Sequence, residues 1–382
     1  MTTLAEVSLI VDCEHKTAPI DPDGEYFAVG TPAMRGNSID YSQARRIDQA
    51  TFETWTRRLR PQVGDLLFAR EAPVGLVVRI PDEGNIAPGQ RTVLIRPDND
   101  CVDPRFLFYI MASPVIQRRV ELVSAGSTVA HMNVSDVREL DLGDLPNRTI
   151  QASIADVLGA LDDKIAANRR IVVDALALGE ALFDAEATDE SVSLARLAEV
   201  TMGLSPKGTE LNTGGVGMVF YQGVRDFGEV YPSARVSTSA PTRTAEAGDA
   251  LLAVRAPVGR VNLAVEETCL GRGVAGIRAY RLPATLYFAL RVAESGWDIY
   301  QDTGTVFSSV TKEQVRTFQI RRARETEAER LEAKLAALLD RGVAAERESE
   351  VLARTRDELL PLLMDGRITV RQAEEQAMEA GR

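Results

Sequence analysis

The sequence predicts an α+β protein: two tandem mixed α/β modules, each followed by a long helix, the two helices pairing as an antiparallel coiled coil with pseudo-two-fold symmetry. Three observations predict it. Ala72-Pro73-Val74-Gly75 follows Gly64-Asp65-Leu66-Leu67, and Ala256-Pro257-Val258-Gly259 follows Gly248-Asp249-Ala250-Leu251, at an offset of 184 residues. Gly126-Ser127 through Val137 to Leu142 matches Gly304-Thr305 through Val315 to Ile320 at an offset of 178. That second match runs without a gap into a helical stretch in which Leu161-Asp162 meets Leu339-Asp340. A missed duplication misreads a whole fold, and two copies are too few for a solenoid. The implied boundaries are modules at 1–147 and 189–322, long helices at 148–188 and 323–365, and a tail at 366–382.

In the first module, Leu66-Leu67-Phe68-Ala69, Gly75-Leu76-Val77-Val78 and Thr92-Val93-Leu94-Ile95 are short β-rich runs bounded by Gly, Pro and Asp. Asp103-Pro104 supplies an N-cap and a first-position proline, so 105–122 is expected to be helical with a break or kink at Pro114. Asn147 caps the first long helix, whose apolar stripe is Ile150, Ile154, Val157, Leu161, Ile165, Val172, Ala175 and Leu182. At about 1.5 Å per residue this is a rod of roughly 55 Å.

The second rod has Leu331, Leu335, Leu338, Gly342, Ala345, Leu352, Leu359 and Leu363, with Ser349 and Arg356 interrupting the stripe. Gly342 is expected at the seam, where a missing side chain lets two helix backbones approach. Each rod needs a partner along one stripe, and a two-fold relation between the modules makes the rods antiparallel. Asp365-Gly366 ends the second rod, and Thr369-Val370-Arg371-Gln372 is a capping-box start for a terminal helix.

At 382 residues the chain exceeds one ordinary core. It has no bilayer-length apolar stretch, no signal-peptide pattern and three scattered cysteines, which predicts a cytoplasmic protein away from membranes. The net charge of −12 offers nucleic acid no general attraction, but its distribution is uneven. Residues 150–190 alone supply −6, whereas 45–70 hold six arginines against three acids.

Catalytic chemistry is hard to find. Gly271-Arg272-Gly273-Val274-Ala275-Gly276 fits a dinucleotide fingerprint, but Ile277-Arg278-Ala279-Tyr280-Arg281-Leu282-Pro283 is no helix start. Ile277-Arg278 also aligns with Ile95-Arg96, in a copy that lacks the glycines, so a turn-and-strand role is expected. The only histidines are His15 and His131, no Cys or His pair has ligand spacing, and Ser309 faces His131 in the second copy. Asp162-Asp163 reads as a solvated acidic face. The expectation is a binder with no catalytic residues, no bound cofactor and no metal.

The arrangement resembles the DNA-specificity subunit of type I restriction–modification systems over essentially the whole chain. The duplicated Gly-Asp-(x)-Leu and Ala-Pro-Val-Gly runs carry the resemblance, as do the Gly-Ser/Thr pairs closing each module. So does the segment Phe220-Tyr221-Gln222-Gly223-Val224-Arg225-Asp226-Phe227-Gly228, and so does the ending from Glu358 to Ile368 with its tail. It implies two target-recognition domains, each reading one half of a split double-stranded DNA sequence, with the helix pair setting the unread spacer. It further implies no catalytic centre here, and two S-adenosylmethionine-dependent adenine methyltransferase subunits as partners, with ATP-driven restriction subunits as an optional addition.

For such a role, base edges are read by Arg, Lys, Asn and Gln, while phosphate contacts set register. The candidates in the first module are Arg35, Asn37, Arg45, Arg46, Arg57 and Arg58; in the second, Lys207, Tyr221 and Gln222. Arg70 and Arg255 beside the repeated motif are either phosphate contacts or structural pairs. Ser127, Thr128 and Thr305 could bring backbone amides to a phosphate. Two other readings stay open: a protein-only duplicated coiled-coil adaptor, and a nucleotide-dependent enzyme built on Gly271–Gly276.

Overall fold

The structure is a computed structural model describing residues 1–35, 38–81, 85–124, 130–300 and 309–381. The chain divides into two compact units, Met1–Lys164 with Val351–Arg382, and Ile165–Glu350. It is an α+β fold, and among the described residues no helix is long and apolar enough to cross a membrane.

The first unit is built on an antiparallel sheet in the spatial order Ser8–Asp12, Thr92–Pro97, Leu66–Ala69, Val77–Arg79. Leu66–Ala69 is an unbroken apolar run because it is buried throughout. A second, mixed sheet places Tyr26–Val29 between Arg45–Ile47 and Ile86–Pro88. Asp103 caps the helix Pro104–Ala112, its carboxylate accepting from the Arg105 and Phe106 amides at 2.9 and 3.2 Å. The break falls at Ser113, and Pro114–Ser124 continues as a separate helix. Asn147 Oδ1 accepts from the Ile150 amide at 3.1 Å, starting the long helix Arg148–Glu186. That helix is tied to the module by Gln151, whose Oε1 accepts from the Asp103 amide at 2.9 Å.

The second unit repeats the plan. Its sheet runs Ala198–Met202, Val274–Ala279, Ala250–Ala253, Val261–Leu263, the same strand order as in the first. A further sheet contains Met218–Tyr221 beside Thr268–Leu270. The helix Pro283–Val292 lacks a side-chain cap of its own. Glu332 of the long helix Ala328–Met364 supplies one, accepting from the Ala284 and Thr285 amides at 2.9 and 2.8 Å.

The repeated Gly-Asp acquires a physical reason. Gly64 and Gly248 turn the chain at φ 90° and 92°, a region L side chains avoid. The following carboxylates are buried and clamp an arginine on the central strand. Asp65 accepts from Arg96 Nε and Nη2 at 3.0 and 2.8 Å. Asp249 accepts from Arg278 Nε and Nη2 at 3.0 and 2.9 Å. Each carboxylate also accepts the amide three residues back, from Gln62 or Glu246, closing the turn. One bidentate pair thus locks the turn to the sheet in both units.

Both units bring the long helices into contact. In the first, Arg356 Nη1 meets Asp162 Oδ1 at 2.5 Å. In the second, Asn168 Nδ2 donates to Glu348 at 2.8 Å, while the Arg324 amide donates to the Glu186 carbonyl at 3.0 Å. Within that unit the two segments therefore run in opposite directions. Two expectations change. Asp162 is a partly buried acceptor rather than a solvated acid, although Asp163 is exposed. A Cβ on Gly342 would meet Val230 Cγ2 at 3.3 Å, so this glycine accommodates a module loop rather than the other helix. Asp365-Gly366 ends the second helix, with Gly366 at φ 63°, and Thr369 opens Val370–Ala380 with its capping box.

Candidate functional site

In the second unit a cleft of about 510 Å³ opens where two strand ends meet. Met218–Tyr221 and Thr268–Leu270 run parallel, pairing Phe220 with Cys269 and Tyr221 with Leu270. Their continuations then turn side by side. The Gly271 amide donates to the Tyr221 carbonyl at 2.8 Å, and the Gly273 amide to the Gln222 carbonyl at 3.0 Å. A Cβ on Gly271 would stand 2.8 Å from Gln222 Cα, and one on Gly273 2.5 Å from Gln222 O. The glycines permit backbone contact between two turns. The strand Val274–Ala279 follows them, so the segment is turn and strand rather than a dinucleotide fingerprint.

Arg225, Arg235, Arg255 and Arg272 line this cleft with Gln222 and Ser205. Asp226 organises its floor. Its Oδ2 accepts from the Gln222 and Gly223 amides at 2.7 and 3.3 Å, and its Oδ1 pairs with Arg235. Arg225, Arg255 and Arg272 are exposed, with no side-chain hydrogen bond or ion pair among the described residues. Three exposed guanidinium groups in one concavity suit an extended anion, and each can grip a phosphate or a guanine edge bidentately.

Of the residues expected here, Gln222 is exposed and Arg255 lies on the wall. Lys207 is exposed outside the cleft lining. Tyr221 requires correction. It is 2% exposed, and its hydroxyl donates to the Pro232 carbonyl at 3.3 Å. Burial pushes its phenol pKa up, and the ring supports the strand from inside. Arg225, Arg235 and Arg272 were not singled out as contacts by sequence; Arg272 sits inside the glycine motif, where attention falls on its neighbours.

In the first unit Arg45 and Arg46 lie on an edge strand and reach the Ala18 and Gly24 carbonyls at 3.5 and 3.0 Å. Arg46 also stands over the Phe27 ring. Arg57 and Arg58 both face Glu14, at 2.9 and 3.9 Å, so one carboxylate serves two exposed cations. Exposed Arg35 lies 4.0 Å from Asp40. Asn37, Ser127, Thr128 and Thr305 lie outside the described residues.

Arg70 takes the second of its two expected roles. It is 5% exposed, with Nη1 donating to the Met132 carbonyl at 3.0 Å and Nη2 beside Asp12 at 3.2 Å. This is the structural-pair alternative, because a buried guanidinium held by two partners cannot reach a backbone phosphate. Nor is it the counterpart of Arg255. Bridges join Glu71 to His131 and Arg255 to Ser309, so the position that is cationic in the second unit is acidic in the first. Asp12, Cys13 and His15 place ligand atoms within 4.8 Å of one another, but the Arg70 guanidinium against Asp12 opposes a cation there.

Comparison with known proteins bears out the resemblance read from the sequence. The family model for the type I restriction modification DNA specificity domain matches residues 23–173. A Methanocaldococcus jannaschii protein assigned as the type I restriction enzyme MjaX specificity subunit is 26% identical over 342 residues, covering 81% of this chain and 79% of the relative. The type I restriction–modification S subunit from M. genitalium is 16% identical, covers 95% of each chain and superposes with a TM-score of 0.58, which shows a shared fold. The HsdS subunit from Thermoanaerobacter tengcongensis is 23% identical over 96% of each chain, with a TM-score of 0.37.

Proposed function

We propose that this chain is the sequence-reading subunit of a type I restriction–modification system, with modules 1–147 and 189–322 each recognising one half of a bipartite double-stranded DNA target. The observation that carries this reading is a shared frame with divergent surface chemistry. Both units keep the same strand order and the same buried Asp–Arg clamp, yet Arg255 and Ser309 occupy positions held by Glu71 and His131 in the first. A common scaffold presenting different donors and acceptors is what reading two different half-sites requires.

In this reading the exposed cleft arginines hold phosphates and set register, and exposed Gln222 faces base edges. Arg35, Arg45, Arg46, Arg57 and Arg58 serve the first module. The long helices tie the two readers together and fix the number of unread base pairs. Adenine methylation belongs to two partner methyltransferase subunits that carry S-adenosylmethionine. Those partners also supply positive charge along the DNA, offsetting the −12 of this chain. Restriction subunits are an optional addition, and the site of action is the cytoplasm.

The test is co-expression with a type I methyltransferase subunit, followed by methylation-sensitive sequencing of host DNA. A bipartite motif with a fixed gap and one modified adenine in each half supports the reading. Methylation at a single undivided motif, or none above the partner alone, contradicts it and favours a protein-only adaptor.

A further inference from the structure

Gln222 differs from the other polar groups of the second-unit cleft in one respect: its backbone is held from three sides while its side chain is left unoccupied. Asp226 accepts its amide at 2.7 Å, the Gly273 amide donates to its carbonyl at 3.0 Å, and Gly271 packs against its Cα too closely to admit a Cβ. The exposed carboxamide has no hydrogen bond among the described residues. Around it stand Arg225, Arg255 and Arg272, also without side-chain partners among the described residues.

A backbone fixed in place beneath an unsatisfied side-chain amide is the arrangement expected of a group that discriminates, because only the side chain remains to be ordered on binding. The carboxamide presents one donor and one acceptor in a plane. Adenine offers the matching acceptor and donor, N7 and N6, on its major-groove edge. We infer that Gln222 is a specificity-determining residue reading an adenine in the half-site of the second module, with the Gly271-Arg272-Gly273 turn acting as its clamp. This rests on the DNA-recognition reading above and adds a residue and a base to it. The glycine motif then has a function without any nucleotide cofactor: it fixes a reading side chain.

The experiment uses the intact complex of the full chain with its methyltransferase subunits. A panel of duplexes replaces each base pair of the wild-type motif in turn, and affinities are measured by competition. Gln222→Ala is expected to lower discrimination at one A·T position by about tenfold to a hundredfold, leaving the other half-site unchanged. Gln222→Glu is expected to move the preference at that position toward C·G, since a carboxylate accepts from cytosine N4. Because the side chain is exposed, neither change touches the core. Arg272→Ala, by contrast, is expected to weaken all duplexes alike. A wild-type motif that survives both Gln222 substitutions at every position overturns the assignment to Gln222 alone. A wild-type complex without base preference anywhere overturns the recognition reading beneath it.

Discussion

Arg356 and Asp162 form an ion pair at 2.5 Å in the first unit, joining the second long helix to the first, and the pair reaches a third element. Tyr109 donates its hydroxyl to the other carboxylate oxygen at 2.7 Å, and burial, with Asp162 adding to it, pushes the tyrosine pKa up. The Arg356 side chain is 13% exposed and that of Asp162 29%, so water screens the pair only in part. Arg356→Leu is expected to destabilise the protein by about 1–3 kcal/mol, because Asp162 keeps one donor and loses its counter-charge. Asp357→Ala, at a side chain 65% exposed, should stay within roughly 0.5 kcal/mol of wild type. Urea unfolding of both variants measures the difference, and equal effects would remove the pair from the account.

The duplicated clamp predicts a local effect. Asp249→Ala leaves the Glu246 amide without its acceptor and takes from Arg278 its bidentate partner, with only the Glu246 carboxylate remaining at 2.8 Å, and should cost about 1–3 kcal/mol given the partial exposure of Arg278. Hydrogen exchange should rise at Ala250–Ala253 and Val274–Ala279, and not at Leu66–Ala69. Asp65→Ala should give the mirror result.

Glu346 supplies a pH dependence. Its carboxylate accepts from the Glu229 and Val230 amides at 3.1 and 3.0 Å, yet burial dominates and raises its pKa above 4.5. With the folded pKa raised, the native state binds more protons than the unfolded state in that window. Stability from this group is therefore full below the unfolded pKa and lost as pH rises through the folded one. Glu346→Gln removes the titration, so stability should fall less between about pH 4 and pH 7 than in wild type, read from urea midpoints. A steeper fall in the variant would reverse the sign.

The cleft arginines give a salt signature. Arg255→Ala and Arg272→Ala should each weaken DNA binding by the assembled complex and reduce the slope of log affinity against log salt by about one. The preferred sequence should not change. An unaltered slope would place these arginines off the phosphate path.

Much of the frame was legible in sequence because its signals are local. Asp103, Asn147 and Thr369 cap the helices they were expected to cap, and Pro114 marks the break. The duplication also placed Arg278 opposite Arg96, the pair that the structure shows clamping Asp249 and Asp65. What was not legible depends on contacts distant in sequence. Tyr221 and Gln222 are neighbours in the chain, and only the pairing with Leu270 decides that the first faces inward. Arg70 reads like any basic residue until Asp12 and Met132 are brought against it. Arg356 looked like a defect in an apolar stripe and proved to be the partner of Asp162.

The central claim is that two independent readers share one frame, and a module exchange tests it most directly. Residues 1–147 are replaced by the corresponding module of another specificity subunit of known motif, and the methylated sequence is mapped in cells that also supply the methyltransferase. The account predicts a motif in which one half-site is new, the other half-site is unchanged and the gap between them is kept. A motif altered in both halves, or in neither, would contradict it.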